Sequence, residues 1–354
     1  MFSDKSCPYC NKNTETKKLD FFYREESYME VLKYEHQKNN KDTSFEEIVK
    51  KNLKLVKCGD CKLTFFKHWF DDETSKKIYI SKPHRMGWGS FYLFYNQNNR
   101  LEEYIKKKLK IFKSIKNKIS KIDTYAEINC PFSGLMLLYN FFGMKKNFKV
   151  NILENLSKER KYFPTMLFKI LNKFKVILYK YLIFQEIIFN KIIKRKDFKK
   201  LISQNNQFNI PNDISLIKLD SNTLSWNYGC NNMENNCRKV FSYFKDFKSV
   251  NFEEIEEKNN NSNFKFDLCY LENTLDHTNN LSNILNRIKK ISKNIAIITH
   301  GKKAGPQHLF YLNEEFVINY SKLNNFKLHI LTKEITQKEN NDLDNQYYLL
   351  TEVN

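Results

Sequence analysis

Four cysteines near the amino terminus fall into two short pairs, Cys7 and Cys10 in "CPYC" and Cys58 and Cys61 in "CGDC". A C-x-x-C turn aims two thiolates at one tetrahedral ion, and two such turns complete a closed four-sulfur zinc site. Sulfur fills every position, so no place remains for water or substrate, and the expected ion is structural. Residues 11–57 between the pairs hold "LDFFYREESYMEVLKY" and "SFEEIVKKNLKLVK", room for a strand or short helix and a return strand. Gly59 inside the second turn tolerates tight backbone. Cys230 and Cys237, in "GCNNMENNC", have no further paired ligands nearby and read as free thiols. Cys130 and Cys269 sit in apolar surroundings and read as core residues.

A second set of reactive groups is spread along the rest of the chain. "EINCPFSG" (127–134) lies between the apolar runs "TYAEI" and "LMLLYNFF", the layout of a strand–turn–helix binding loop. Such loops usually carry several glycines, and here Gly134 stands alone. Pro131 lacks an N–H, fixes its own φ and restrains Cys130, so the loop is preset by rigidity. "ISLIKLD" (214–220) ends in Asp220, and Glu272 and Asn273 follow the buried run of "FKFDLCYLENTLDH". His277, His300 at the end of "NIAIITH" and His308 in "GPQH" carry imidazoles, which titrate near neutral pH and can act as a base.

These groups need a scaffold, and the chain has 354 residues for it, enough for two domains or one large domain with insertions. Aromatic residues at 15% supply a sizeable core and argue against a disordered chain. The formal charge of +20, from 60 Lys+Arg against 40 Asp+Glu, raises nucleic acid or an anionic membrane as partners. The excess is mostly lysine scattered beside asparagine, which describes a solvated surface better than a binding patch. The start, "MFSDKSCPYC", lacks the layout of a secretory signal, and no run of about 18 uncharged apolar residues marks a transmembrane helix. The expected location is cytoplasmic, where thiols stay reduced and cysteines serve as metal ligands or free thiols.

The pattern divides into residues 1–80, a zinc-ribbon-like domain; 81–121, a basic helical linker containing "NRLEEYIKKKLKIFKSIKNKISK"; and 122–354. In the last part strand-like runs ("DTYAEI", "ISLIKLD", "KSVNFEEI", "FKFDLCYLE", "NIAIITH") alternate with helical ones such as "NLSNILNRIKKISK" and "LNEEFVINYSKLN". That alternation predicts an α/β fold with a doubly wound, mostly parallel sheet of about seven strands. "NFKLHILTKEI" and "NQYYLLTEV" would close it with an antiparallel hairpin. Residues 143–212 interrupt the pattern with a basic stretch of helical period. It reads as a helical insertion packed on the sheet, a lid, or a basic amphipathic surface for anionic lipid in peripheral membrane contact.

This order of elements resembles the class I S-adenosylmethionine-dependent methyltransferase fold, over roughly residues 122–354 less the insertion. The sharpest likeness is "FDLCYLENTLDHTNNLSNILNRIKKISKNIAIITH", similar to the family's fourth strand, turn, helix and fifth strand, with Leu275-Asp276-His277 in place of the usual Leu-Glu-His. The two cysteine turns followed by "KLTFF", and "GPQHLFYLNEEF" (305–316), are similar to zinc-ribbon members, including sugar C-methyltransferases. The resemblance implies a Rossmann-like domain that binds S-adenosylmethionine and a structural zinc ion. It implies that Glu127, Asn129, Cys130, Pro131 and Gly134 form the cofactor loop, that Asp220 takes the ribose, and that Glu272 and Asn273 border the crevice. It also implies a small-molecule or glycan-type acceptor, with a base drawn from His277, His300 and His308. Two other functions stay open: an RNA methyltransferase, and a catalytically silent zinc-containing binding protein.

Overall fold

The computed structural model describes residues 1–24, 29–39, 43–80, 100–128, 149–153, 213–217, 246–249, 252–278, 280–306, 308–337 and 344–353. Five strands and three helices build the amino-terminal part: β1 (Phe2–Asp4), β2 (Glu15–Leu19), α1 (Glu30–Asn39), α2 (Phe45–Asn52), β3 (Lys54–Cys58), β4 (Thr64–Phe70), α3 (Asp72–Ile80) and, from far along the chain, β11 (Phe310–Tyr311). Their order is β1-β4-β3-β2, with β11 also pairing β4. The buried Leu55 and Val56 of β3 and the long aromatic run of β4 (Phe65, Phe66, Trp69, Phe70) give this small sheet its core. Ser44 caps α2 by accepting from the Glu47 N–H, and Glu46 and Glu47 in the first turn suit the helix dipole.

Next come α4 (Arg100–Lys116), β5 (Thr124–Ile128), β6 (Lys149–Leu153), β7 (Asp213–Ile217), β8 (Asp246–Ser249) and α5 (Phe252–Ser262). The chain continues through β9 (Leu268–Glu272), a 3-10 turn (Leu275–His277), α6 (Leu281–Ile291), β10 (Asn294–Thr299), α7 (Glu314–Leu323), β12 (Phe326–Ile330), α8 (Thr332–Thr336) and β13 (Gln346–Glu352). The large sheet has the order β12-β13-β10-β9-β5-β7-β6-β8. Strands β8, β6, β7, β5, β9 and β10 run parallel, and β13 is antiparallel to both β10 and β12. The protein is thus a mixed α/β structure ending in the expected antiparallel pair.

Two expectations need correction. Among the described residues the large sheet has eight strands, not about seven. The additional strand is β6, "KVNIL", inside the stretch read as a helical insertion; its alternating Val150 and Ile152 pair with Ile214 and Leu216 of β7. Short β-branched alternation won there over the helical period of the residues after it. The remainder of that stretch, 143–148 and 154–212, lies outside the described residues. The candidate strand "KSVNFEEI" is also split: β8 ends at Ser249 and α5 begins at Phe252.

Helix α4 packs on the sheet, where Phe112 stacks on Tyr270 with ring centroids 5.2 Å apart and meets Tyr125 at 6.0 Å. Helix α6 buries Leu281, Ile284, Leu285, Ile288 and Ile291 on one stripe, the i, i+3, i+4, i+7 pattern of a helix covering a sheet. Those side chains and the buried residues of β3 and β4 belong to one contiguous hydrophobic core.

Candidate functional site

The four cysteine sulfurs converge. Cys7 Sγ lies 3.4 Å from Cys61 Sγ, Cys10 Sγ lies 3.5 Å from Cys58 Sγ, and all four fall within 4.8 Å of one another. Four sulfurs at about 2.3 Å from a tetrahedral zinc stand about 3.8 Å apart, so the set fits such an ion.

The two turns share one backbone design. In each, the residue after the second cysteine (Asn11, Lys62) is left-handed, with φ of 57° and 68°. Each of these donates its N–H back to the first cysteine's carbonyl, Asn11 to Cys7 and Lys62 to Cys58. The first cysteine's own N–H then finds the carbonyl of Lys12 or Leu63. A hydrogen bond from the Cys61 thiol holds Cys7 down at about 6, and the same bond pushes Cys61 upward. Burial raises Cys10 to about 11. An ion bound there displaces these protons.

The second cluster stands where the strands of the large sheet end. Glu127 is the penultimate residue of β5; its carboxylate is buried and Oε1 accepts from the Tyr125 hydroxyl at 2.8 Å. Glu272 closes β9, and both its oxygens accept from the ammonium of Lys108 on α4, a side chain with no exposed surface. The Tyr270 hydroxyl also donates to Glu272. Tyr125, Glu127, Tyr270 and Glu272 share one face of the sheet because they alternate along neighbouring strands in parallel register. Burial, and after it the Glu272 carboxylate, raises the Tyr347 hydroxyl above its ordinary value.

Beyond β9 the chain turns sharply. Asn273 is left-handed, with φ 50°, and its N–H bonds to Ile298 O at 2.8 Å. Thr274 Oγ1 donates to Ile128 O at 3.2 Å, tying this turn to the end of β5. The turn then presents Asp276, fully buried. Its Oδ2 lies 2.6 Å from His300 Nδ1 and 3.6 Å from His308 Nδ1. The backbone N–H of His300 donates to that same oxygen at 3.3 Å. The two imidazole rings stack, centroids 4.4 Å apart and planes inclined by 28°.

Of the residues singled out in the sequence, Cys7, Cys10, Cys58 and Cys61 meet in one cluster, and His300 meets His308 in another. Glu127, opposite Tyr270 in the register, and Glu272, two residues further along β9, stand near the ends of neighbouring strands. His277 falls in the 3-10 turn beside Asp276, and nothing is described of its side chain. Asn129, Cys130, Pro131, Gly134 and Asp220 lie outside the described residues, as do Cys230 and Cys237. Cys269 is a core residue, and burial raises its thiol to about 12.

Sequence reasoning passed over Lys108, Tyr125, Tyr270 and Trp69, and read Asp276 only as part of a turn. An acid directly before a histidine in "LDH" was the available signal for Asp276. Lys108, inside "KKKLKIFK", has none. Among the described residues no helix is long and apolar enough to cross a membrane.

No family model matches the chain, and no curated protein matches it. Among solved structures it is similar to the CurJ carbon methyltransferase at 9% identity and a TM-score of 0.27, over 40% of this chain and 42% of that one. It is similar to the methyltransferase domain of bacterial CtHen1 at 8% identity and a TM-score of 0.32, over 70% of this chain and 98% of that one. The third is a mutant of MtNAS in complex with S-adenosylmethionine, at 10% identity and a TM-score of 0.29, over 80% of this chain and 84% of that one. The chain thus spans less than half the length of the CurJ protein. At these scores none of the three fixes the fold, which here stands on the strand order of this chain alone.

Proposed function

We propose that the chain is an S-adenosylmethionine-dependent methyltransferase acting on a small or glycan-type substrate, in cell-envelope sugar biosynthesis, in the cytoplasm. One observation carries this: parallel strands β5, β9 and β10 deliver Glu127, Glu272 with Asn273, and His300 with Asp276 to the same end of the sheet. In open α/β sheets the ligand crevice lies outside the carboxyl ends of the strands. The domain layout proposed keeps the zinc-ribbon-like part at 1–80 and the methyltransferase part from 122, but α4, within the stretch 81–121 read as a linker, packs on the large sheet and is counted with that part.

When bound, the cofactor supplies an electrophilic methyl group. The described residues fit it in two ways: Glu127 offers a buried carboxylate at the end of the first strand, and Asn273 brings backbone close to the crevice in a left-handed turn. Asn129, Cys130, Pro131 and Gly134 are proposed as the rest of its loop, and Asp220 as the acceptor of its ribose hydroxyls. Lys108 pairs with Glu272, so this acid borders the crevice as one half of an ion pair. Methyl transfer needs in-line placement and little covalent help, so positioning is the main task of the protein. A hydroxyl or carbon acceptor gains from a base, proposed among His277, His300 and His308; Asp276 fixes the orientation of His300 through Nδ1.

The four cysteines are proposed to hold one structural zinc ion. Calorimetric titration with S-adenosylmethionine tests the reading, and absence of binding by the zinc-loaded protein would leave a silent binding protein. Affinity for RNA with a steep salt dependence would move the acceptor to nucleic acid, since neutralised phosphates release counterions.

A further inference from the structure

We propose that Asp276, His300 and His308 form a binding site for one divalent metal ion, separate from the four-cysteine cluster. Their ligand atoms lie within 4.8 Å of one another, although the three residues come from the turn after β9, the end of β10 and the loop before β11. Both imidazoles present Nδ1 to one carboxylate oxygen, at 2.6 and 3.6 Å. Two imidazole nitrogens and one carboxylate oxygen make the donor set of an open site for iron(II), and the same nitrogen and oxygen donors suit manganese, cobalt or zinc.

Charge favours an ion there. Asp276 has no exposed surface and His308 has 2%, and a carboxylate taken out of water needs positive charge close by. A divalent ion would balance the carboxylate and take the Nδ1 lone pairs of both rings.

The site is also held in place. Trp69 donates to Pro306 O, Phe66 N–H to Leu309 O and the Tyr311 hydroxyl to Gly305 O, so backbone on both sides of His308 is fixed. His300 is 24% exposed and gives the ion a way in. Three protein ligands leave positions for water or for oxygen donors of a substrate. Placing an acceptor hydroxyl on the ion rests on the methyltransferase reading; binding of the ion does not. With an ion bound, His300 and His308 are ligands and His277 remains as the candidate base.

The test uses the full-length, zinc-loaded protein with no S-adenosylmethionine and Mn2+ as the probe, because a hard ion avoids the thiolate cluster. The free Mn2+ paramagnetic resonance signal is expected to fall until about one equivalent is bound. Asp276→Asn and His300→Gln are each expected to weaken binding by more than about tenfold, with zinc content and circular dichroism unchanged. Where a variant fails to fold, the wild-type protein decides alone: pulsed resonance should detect nitrogen of coordinated imidazole in the bound Mn2+. The inference is overturned if neither Mn2+ nor Co2+ binds beyond the cysteine-held zinc, if bound Mn2+ has oxygen ligands only, or if both folded variants bind as the wild type does.

Discussion

The indole N–H of Trp69, in the small cysteine-bearing sheet, donates a 2.7 Å hydrogen bond to the carbonyl of Pro306, in the loop that carries His308. A few residues further on, β11 leaves that loop and adds itself to β4, with Phe310 opposite Phe65 and Tyr311 opposite Thr64. Tyr9, inside the first cysteine turn, packs edge-on against Phe316 of α7 at 5.0 Å. The Pro8 carbonyl accepts from Leu281 N–H at the start of α6. Disturbance at the sulfurs therefore has a short path to the histidines: Cys58 ends β3, β3 pairs with β4, and β4 holds Trp69 and β11.

Removing zinc should accordingly lower the stability of the whole described structure. Chelation of the zinc-loaded protein at neutral pH is expected to give a single thermal transition at lower temperature, because a closed four-sulfur ion contributes folding energy directly. Differential scanning calorimetry checks it. Two separated transitions, with the later one unmoved by chelator, would show that the cysteine module and the large sheet melt independently.

The ion itself is checked by metal analysis. Freshly purified protein should carry about one zinc per chain, and Cys58→Ser should lose it, since three remaining sulfurs leave the tetrahedral set open. Zinc content unchanged in Cys58→Ser would remove the four-cysteine assignment.

The cysteine site was legible in the sequence because its geometry is local: two identical turns each aim two sulfurs, and the fold need only bring the turns together. Strands β9, β10, β12 and β13 were legible because apolar alternation and helical period are local as well. The contacts that bring the histidines together are not local. β11 has two residues, too few for a period, and its partner strand lies some 240 residues earlier in the chain. Lys108 shares its run with Lys106, Lys107 and Lys110, and only packing against Glu272 sets it apart. The strand β6 was hidden for a related reason, since five residues beside a long run whose sequence has helical period are read with their neighbours.

The buried pair of Lys108 and Glu272 makes a sharp test of that packing. Lys108→Met should destabilise by about 3–5 kcal/mol, since it strands a buried carboxylate, and Glu272→Gln should be costly for the mirrored reason. The double variant should be less destabilised than the two single losses added together, because neither charge is left alone. Urea unfolding of the four proteins measures the coupling; simple additivity would show that the two side chains do not depend on each other.

Asp267 should govern part of the acid response. Burial acts to raise its carboxyl, but the Lys293 ammonium and the backbone N–H groups of Thr124 and Asp123 outweigh it and hold it below its ordinary value. A lowered folded value means the stabilisation is complete above the unfolded value of about 3.9 and is lost as pH falls through the folded one. Asp267→Asn should therefore cost about 0.2–1 kcal/mol at pH 7, because water screens the half-exposed Lys293 partner, and the difference from wild type should shrink below about pH 4. A difference that stays constant from pH 7 to pH 3 would contradict this.

Glu127 offers the most direct check on the cofactor. Exchanging it for glutamine keeps the shape, and an amide oxygen can still accept from the Tyr125 hydroxyl that now bonds Oε1, so folding should be nearly unchanged. The change removes charge facing the cofactor, and a hydrogen bond to a charged group contributes about 1.5–3 kcal/mol. At a concentration about 100 times the wild-type dissociation constant, S-adenosylmethionine stabilises the wild-type protein by about 2.7 kcal/mol. The same concentration should then stabilise Glu127→Gln by only about 0.3–1.3 kcal/mol, because its dissociation constant rises by the lost interaction. Thermal denaturation with and without ligand reads both values. Equal shifts in the two proteins would show that Glu127 does not hold the cofactor, and no shift in the wild type would sink the methyltransferase reading itself.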